Sequence, residues 1–118
     1  MPFLVFEPDA LVRNDICETL AAEFQGDLIA IADTLDAIRD LAGTVTSPLV
    51  AVLSLPGDAT QKFLEQFDNL AASNLFIVIG DDASELGQLR DRIVFLQRPF
   101  SSTTLVGSIR AALDNLSS

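Results

Sequence analysis

The chain has 118 residues, 49% of them apolar, with 7 basic residues against 17 acidic ones and a net charge of −10. That length fits one domain with a single core, and the apolar share is too high for a disordered chain. There is no histidine and only one cysteine, so the commonest general base, the commonest metal ligand, an internal disulfide and a zinc cluster are all missing, while the acidic surplus repels nucleic-acid backbones.

The elements alternate in chain order. Phe3 to Phe6 is a short apolar run closed by Glu7-Pro8-Asp9. Val12, Ile16, Leu20 and Phe24 then recur every four residues, which predicts a helix capped by Asp9 and ended near Gly26. Leu28 to Ile31 reads as a second strand. Asp33 or Thr34 caps a second helix with Leu35, Ile38 and Leu41 on one face and Gly43 at its end. Leu49 to Leu53 is a third apolar run, stopped by Pro56-Gly57. Asp58 caps a third helix carrying Phe63, Phe67, Leu70 and Ala71. Leu75 to Ile79 is the fourth run, ended by Gly80-Asp81-Asp82. A weak helix follows over Ala83 to Arg90, then a fifth run, Ile93 to Leu96. Ser101 or Ser102 caps the last helix, which bears Leu105, Ile109, Ala112 and Leu116.

The runs are continuously apolar, the mark of strands buried on both faces of a parallel sheet. Five of them alternating with five helices predict an α/β fold, a (βα)5 doubly wound five-stranded parallel sheet, in one domain over 1–118. Function in such a sheet gathers past the carboxyl ends of the strands. No apolar run is long enough to span a bilayer, and no basic segment followed by an apolar stretch opens the chain. With one thiol and no export signal, the expectation is a cytoplasmic protein. Met1 sits right at the first strand, so the amino end reads as native; the carboxyl end stops where a linker to an output domain would begin.

At the strand ends the sequence resembles the receiver domain of two-component response regulators, a flavodoxin/CheY-like fold. Leu4-Val5-Phe6-Glu7-Pro8-Asp9-Ala10-Leu11-Val12-Arg13 is similar to the receiver opening, Pro48 to Gly57 to its third strand and proline turn, and Arg98-Pro99-Phe100 to its Lys-Pro-Phe. The resemblance covers about residues 2 to 116 and implies signalling by phosphorylation of an aspartate beside Mg²⁺. The departures from that pattern are informative. Glu7 matches the first acidic position, but Pro8, with neither a side-chain oxygen nor an N–H, fills the second. The phospho-acceptor position falls on Ser54 when the match is anchored on Pro48, and on Val52 when anchored on Pro56; Ser54 is preferred because an acceptor must stand where the strand ends. A serine hydroxyl without an adjacent base is a poor nucleophile. Gly80 stands where the family has a hydroxyl residue, Arg98 where it has the lysine, and Phe95 at the switch aromatic.

These substitutions lead to the expectation of a degenerate receiver, a pseudo-receiver, that signals through protein contacts without aspartyl phosphorylation, catalyses nothing and needs no cofactor or metal. Arg98 is expected to occupy the vacated pocket and bridge toward Glu7 or a strand-end carbonyl; the alternative leaves Glu7 as a solvated strand-end carboxylate. Cys17 reads as an ordinary, partly buried thiol, and Asp81-Asp82 as capping and solubilising charges. The expected partners are proteins of a signalling pathway, with no nucleic acid and no membrane. Arg90, Arg92 and Arg110, set among Asp81, Asp82, Glu85 and Asp91, mark a candidate interaction face, either a homodimer surface or simply a solvated one. Two rivals remain: a receiver phosphorylated on Ser54 or Asp58, and a small flavodoxin-like cofactor binder. The second lacks a Gly-rich phosphate loop at any strand–helix turn.

Overall fold

The computed structural model describes residues 2–34, 36, 37, 40, 50–54, 75–81 and 93–117, the last three of these by backbone alone. They form five strands, β1 (Phe3–Phe6), β2 (Ile29–Ile31), β3 (Val50–Ser54), β4 (Leu75–Gly80) and β5 (Ile93–Gln97), and two helices, α1 (Ala10–Glu23) and α2 (Ser102–Ser117). All five strands run parallel in one sheet of order β2-β1-β3-β4-β5. This is the doubly wound arrangement expected from the alternating runs. The predicted third helix and the weak segment over Ala83 to Arg90 lie outside the described residues. So do Leu35, Ile38, Leu41 and Gly43, although Thr34 caps its helix as expected: its hydroxyl accepts from the Ala37 N–H at 3.1 Å.

Burial follows position in the sheet. The three inner strands, β1, β3 and β4, are buried along their whole length, as continuous apolar runs require. The second run behaves differently. It pairs only with β1 among the described residues, its residues are partly buried or exposed, and Ile31 keeps 47% of its surface in water. An apolar run does not by itself reveal whether a strand is central or at an edge, and here the edge position decides.

Register determines which side chains share a face. Phe3 pairs with Val50 and Val5 with Val52; Val50 and Val52 pair with Leu75 and Ile77; Ile77 and Ile79 pair with Val94 and Leu96. Side chains alternate along a strand, so these residues line one face. Ile16 and Leu20 of α1 and Leu105, Ile109 and Ala112 of α2 pack on it as a single buried core, with Val12, Cys17, Phe24 and Phe100 at its margin. The predicted helical stripes therefore cover this face, apart from Leu116, whose side chain is outside the description.

The helix ends are set by the expected residues. The Asp9 carboxylate accepts from the N–H groups of Leu11 at 2.9 Å and Val12 at 3.3 Å. Ser101 caps α2, its hydroxyl accepting from the Thr104 N–H at 3.1 Å. After α1 the chain turns through Gly26 at φ 88°, a left-handed conformation that costs glycine nothing. Arg110 locks the two helices together. Its guanidinium donates to Glu23 at 3.0 Å and lies 5.7 Å from the centre of the Phe24 ring. No described helix is long and apolar enough to cross a membrane.

Candidate functional site

The face-sharing rule extends one step past the strand ends. Phe6 pairs with Leu53, so Glu7 comes level with Ser54; Gly80 pairs with Gln97, so Asp81 comes level with Arg98. By alternation all four belong to the face covered by α1 and α2. The β5 backbone continues its ladder there, with the Arg98 N–H donating to the Gly80 carbonyl at 2.9 Å. The sheet thus delivers two carboxylates, one hydroxyl and one guanidinium to its carboxyl edge, at the head of an open cleft between the helices of about 760 Å³.

Arg98 organises this edge. One guanidinium nitrogen, Nη2, donates to the hydroxyl of Ser54, and the other, Nη1, lies 3.4 Å from Oδ1 of Asp81. The two partners differ in environment: Ser54 is buried, with 2% of its surface exposed, whereas the Asp81 side chain is 77% exposed. The planar fork of arginine suits this double contact, since it presents N–H groups in two directions at once where a lysine offers a point charge. The Ser54 hydroxyl is therefore already the partner of a permanent cation.

Glu7 takes neither of the roles expected of it. It does not pair with Arg98, and it is not solvated: only 6% of its surface is exposed. Its Oε1 accepts from the Asp9 N–H at 3.0 Å, and its backbone carbonyl accepts from Nη1 of Arg13 at 3.4 Å. Proline explains the change. Pro8 has a fixed φ and no donor, and the chain around it folds so that the next N–H returns to the Glu7 side chain. The Glu7 carboxylate thus closes a tight turn. Among the described residues no three His, Cys, Asp or Glu side chains converge on a point where a metal could sit.

The remaining candidates fall in different places. Gly80 ends β4 in the buried sheet, supplying a carbonyl and no hydroxyl. Phe95 is partly buried, and the alternation of β5 puts it on the face opposite Arg98. Arg90, Arg92 and Asp58 lie outside the described residues. Arg110 is exposed on α2, where it donates to Glu23 of α1. Cys17 is half-buried, and desolvation pushes its thiol above the usual cysteine range against a smaller opposing pull from Arg13.

Sequence reasoning misses Asp81 as a partner of Arg98, because Asp81-Asp82 reads from the sequence only as capping and solubilising charge. The signal is available in the register: the first residue after β4 and the first after β5 face the same way. Sequence reasoning also misses the tie between the helices at the cleft, where Thr19 of α1 donates to the Ser102 hydroxyl at 3.1 Å. That contact joins residues far apart in sequence and leaves no trace in either segment.

The fold has clear counterparts among solved structures. A CheY-like response regulator receiver domain protein from Methanospirillum hungatei JF-1 superposes with a TM-score of 0.69 at 21% identity, over 95% of this chain and 91% of that one. The receiver domain of the hybrid histidine kinase CckA gives 0.68 at 19% identity, over 96% and 99%. FixJ-N gives 0.68 at 19%, over 97% and 94%. No protein-family model and no curated protein matches the sequence. The chain has the receiver fold along almost its entire length.

Proposed function

We propose that this chain is a pseudo-receiver: a signalling domain of the two-component type that works through protein–protein contacts and takes no phosphoryl group. One observation carries the reading. At the acceptor position stands Ser54, buried and hydrogen-bonded to the Arg98 guanidinium, so the pocket's own cation is satisfied from within. Pro8 and the inward commitment of Glu7 support it by removing two oxygens that a hard divalent ion would need. The domain acts by binding and performs no chemistry of its own, in the cytoplasm, in one conformation stabilised by the Arg98 contacts. Its partner is another protein. The segment and helix bearing Arg90, Arg92 and Arg110 are where self-pairing would occur; light scattering at high micromolar concentration and low salt separates a homodimer from a foreign partner.

The test is a titration of the protein with beryllofluoride, a phosphoryl analogue, in the presence of Mg²⁺ and followed by amide-resolved NMR. The amides of Glu7, Ser54, Asp81 and Arg98 should stay in place. A saturable shift centred on those residues would show that the pocket still accepts a phosphoryl-like group, and the pseudo-receiver reading would fail.

A further inference from the structure

The cleft between α1 and α2 extends well beyond the Arg98 contacts, and nothing in the proposed signalling role uses the rest of it. Its apolar lining comes from Val12 and Ile16 of α1, Leu105 of α2, and Phe100 in the connection between β5 and α2. Val12 and Phe100 are only partly buried at the margin of the core, so apolar surface is left facing the cleft. A volume of about 760 Å³ lies within the roughly 300–1,000 Å³ of pockets that enclose small organic ligands.

The charge around this surface is one-sided. Among the described residues, Glu7, Asp9, Asp15 and Asp81 line the cleft against one cation, Arg98. Three of the four carboxylates are occupied: Glu7 by the Asp9 N–H, Asp9 by the first amides of α1, and Asp81 by Arg98. Asp15 differs. It is exposed on α1, and among the described residues its carboxylate has neither a hydrogen bond nor an ion pair. One turn further on, Thr19 and Ser102 add two hydroxyls at the wall. Apolar surface beside an unpaired carboxylate, in a negative field, matches an apolar body carrying a positive head. A bare metal ion is not matched, since no three ligating side chains converge. An anion would meet four carboxylates and a guanidinium that already has partners.

We propose that this cleft binds a small amphipathic organic cation, an ammonium or guanidinium group on an apolar body. The body lies on Val12 and Phe100, above the buried Ile16 and Leu105, and the head sits at Asp15. This site goes beyond the pseudo-receiver reading and does not depend on it, because a receiver that does accept phosphate would keep the same cleft.

The test uses three probes with one apolar body and different heads: 4-phenylbutylammonium, 4-phenylbutanol and 4-phenylbutyrate. Each is titrated into the full chain and followed by amide-resolved NMR. The cation should give saturable shifts at amides of α1 from Val12 to Thr19 and around Leu105. It should bind about fivefold more tightly than the alcohol, the most an exposed ion pair ordinarily supplies, and the anion should bind more weakly than either. Asp15→Asn, an exposed change that leaves the core untouched, should abolish the preference for the cation while leaving the alcohol's affinity unchanged. Asp114→Asn removes the same charge near the far end of α2 and should leave the preference intact. Equal binding of the three probes, cation shifts confined to other parts of the surface, or an equal loss of preference in both variants would overturn the proposal.

Discussion

Removing the Arg98 side chain is the most informative perturbation. Arg98→Ala takes away the donor to Ser54, a hydroxyl with 2% of its surface exposed, and the contact with an Asp81 side chain that is 77% exposed. A hydrogen bond involving a charged group contributes about 1.5–3 kcal/mol, and a buried polar group left without a partner costs about 1–3 kcal/mol. The exposed ion pair adds about 0–1 kcal/mol. The Arg98 side chain is itself 37% exposed, so water recovers part of the loss, and a total of about 1–2 kcal/mol is expected. Ser54→Ala should cost less, about 0.5–1 kcal/mol, because a half-exposed guanidinium can return to water. The double variant is the sharper test. Once Arg98 is gone, the Ser54 hydroxyl is a buried group without its donor, so Ser54→Ala in that background should be neutral or stabilising, with a coupling of about 1 kcal/mol. The chain has neither Trp nor Tyr, so urea unfolding is best followed by far-ultraviolet circular dichroism; 1 kcal/mol moves the midpoint by roughly half to one molar. Additive single and double variants, with coupling below about 0.3 kcal/mol, would refute the claim that Arg98 and Ser54 act as one unit.

Further outcomes follow from the same geometry. Asp9→Ala should destabilise the domain by about 1 kcal/mol through loss of the α1 cap, read from the same urea curves, and Asp9→Ser should restore most of it. Arg110→Glu replaces the ion pair with Glu23 and the contact over Phe24 by a like-charge repulsion, and should lower stability by about 1 kcal/mol, visible in the melting temperature. Millimolar Mg²⁺ should leave that melting temperature unchanged, because only binding to the native state raises it; a rise saturating with Mg²⁺ would reveal a metal site that the Pro8 turn should have abolished.

The architecture was legible in the sequence because its signal is local. Five apolar runs broken by capped helical stripes have few alternatives, and Asp9, Thr34, Ser101 and Gly26 each act where their own chemistry predicts. The exposure of β2 was not legible, since Leu28 to Ile31 looks like the central runs and only strand order makes it an edge. At the strand ends, the sequence does not reveal how the charged and polar side chains pair. Arg98, Ser54 and Glu7 were singled out by position, yet Glu7 folds back on the Asp9 N–H and Arg98 takes Ser54 and Asp81. Pairing depends on which side chain reaches first across a sheet edge. That is settled by register and by the path of the Pro8 turn, both of which join residues distant in sequence or set by three-dimensional geometry.

The central claim is that the pocket takes no phosphoryl group, and intact-mass spectrometry tests it most directly. The protein is incubated with excess acetyl phosphate and Mg²⁺ and weighed alongside Ser54→Ala and Asp58→Asn. The account predicts the unmodified mass for all three. A phosphoryl adduct on the wild type that disappears in either variant would contradict it and identify the residue as a working acceptor.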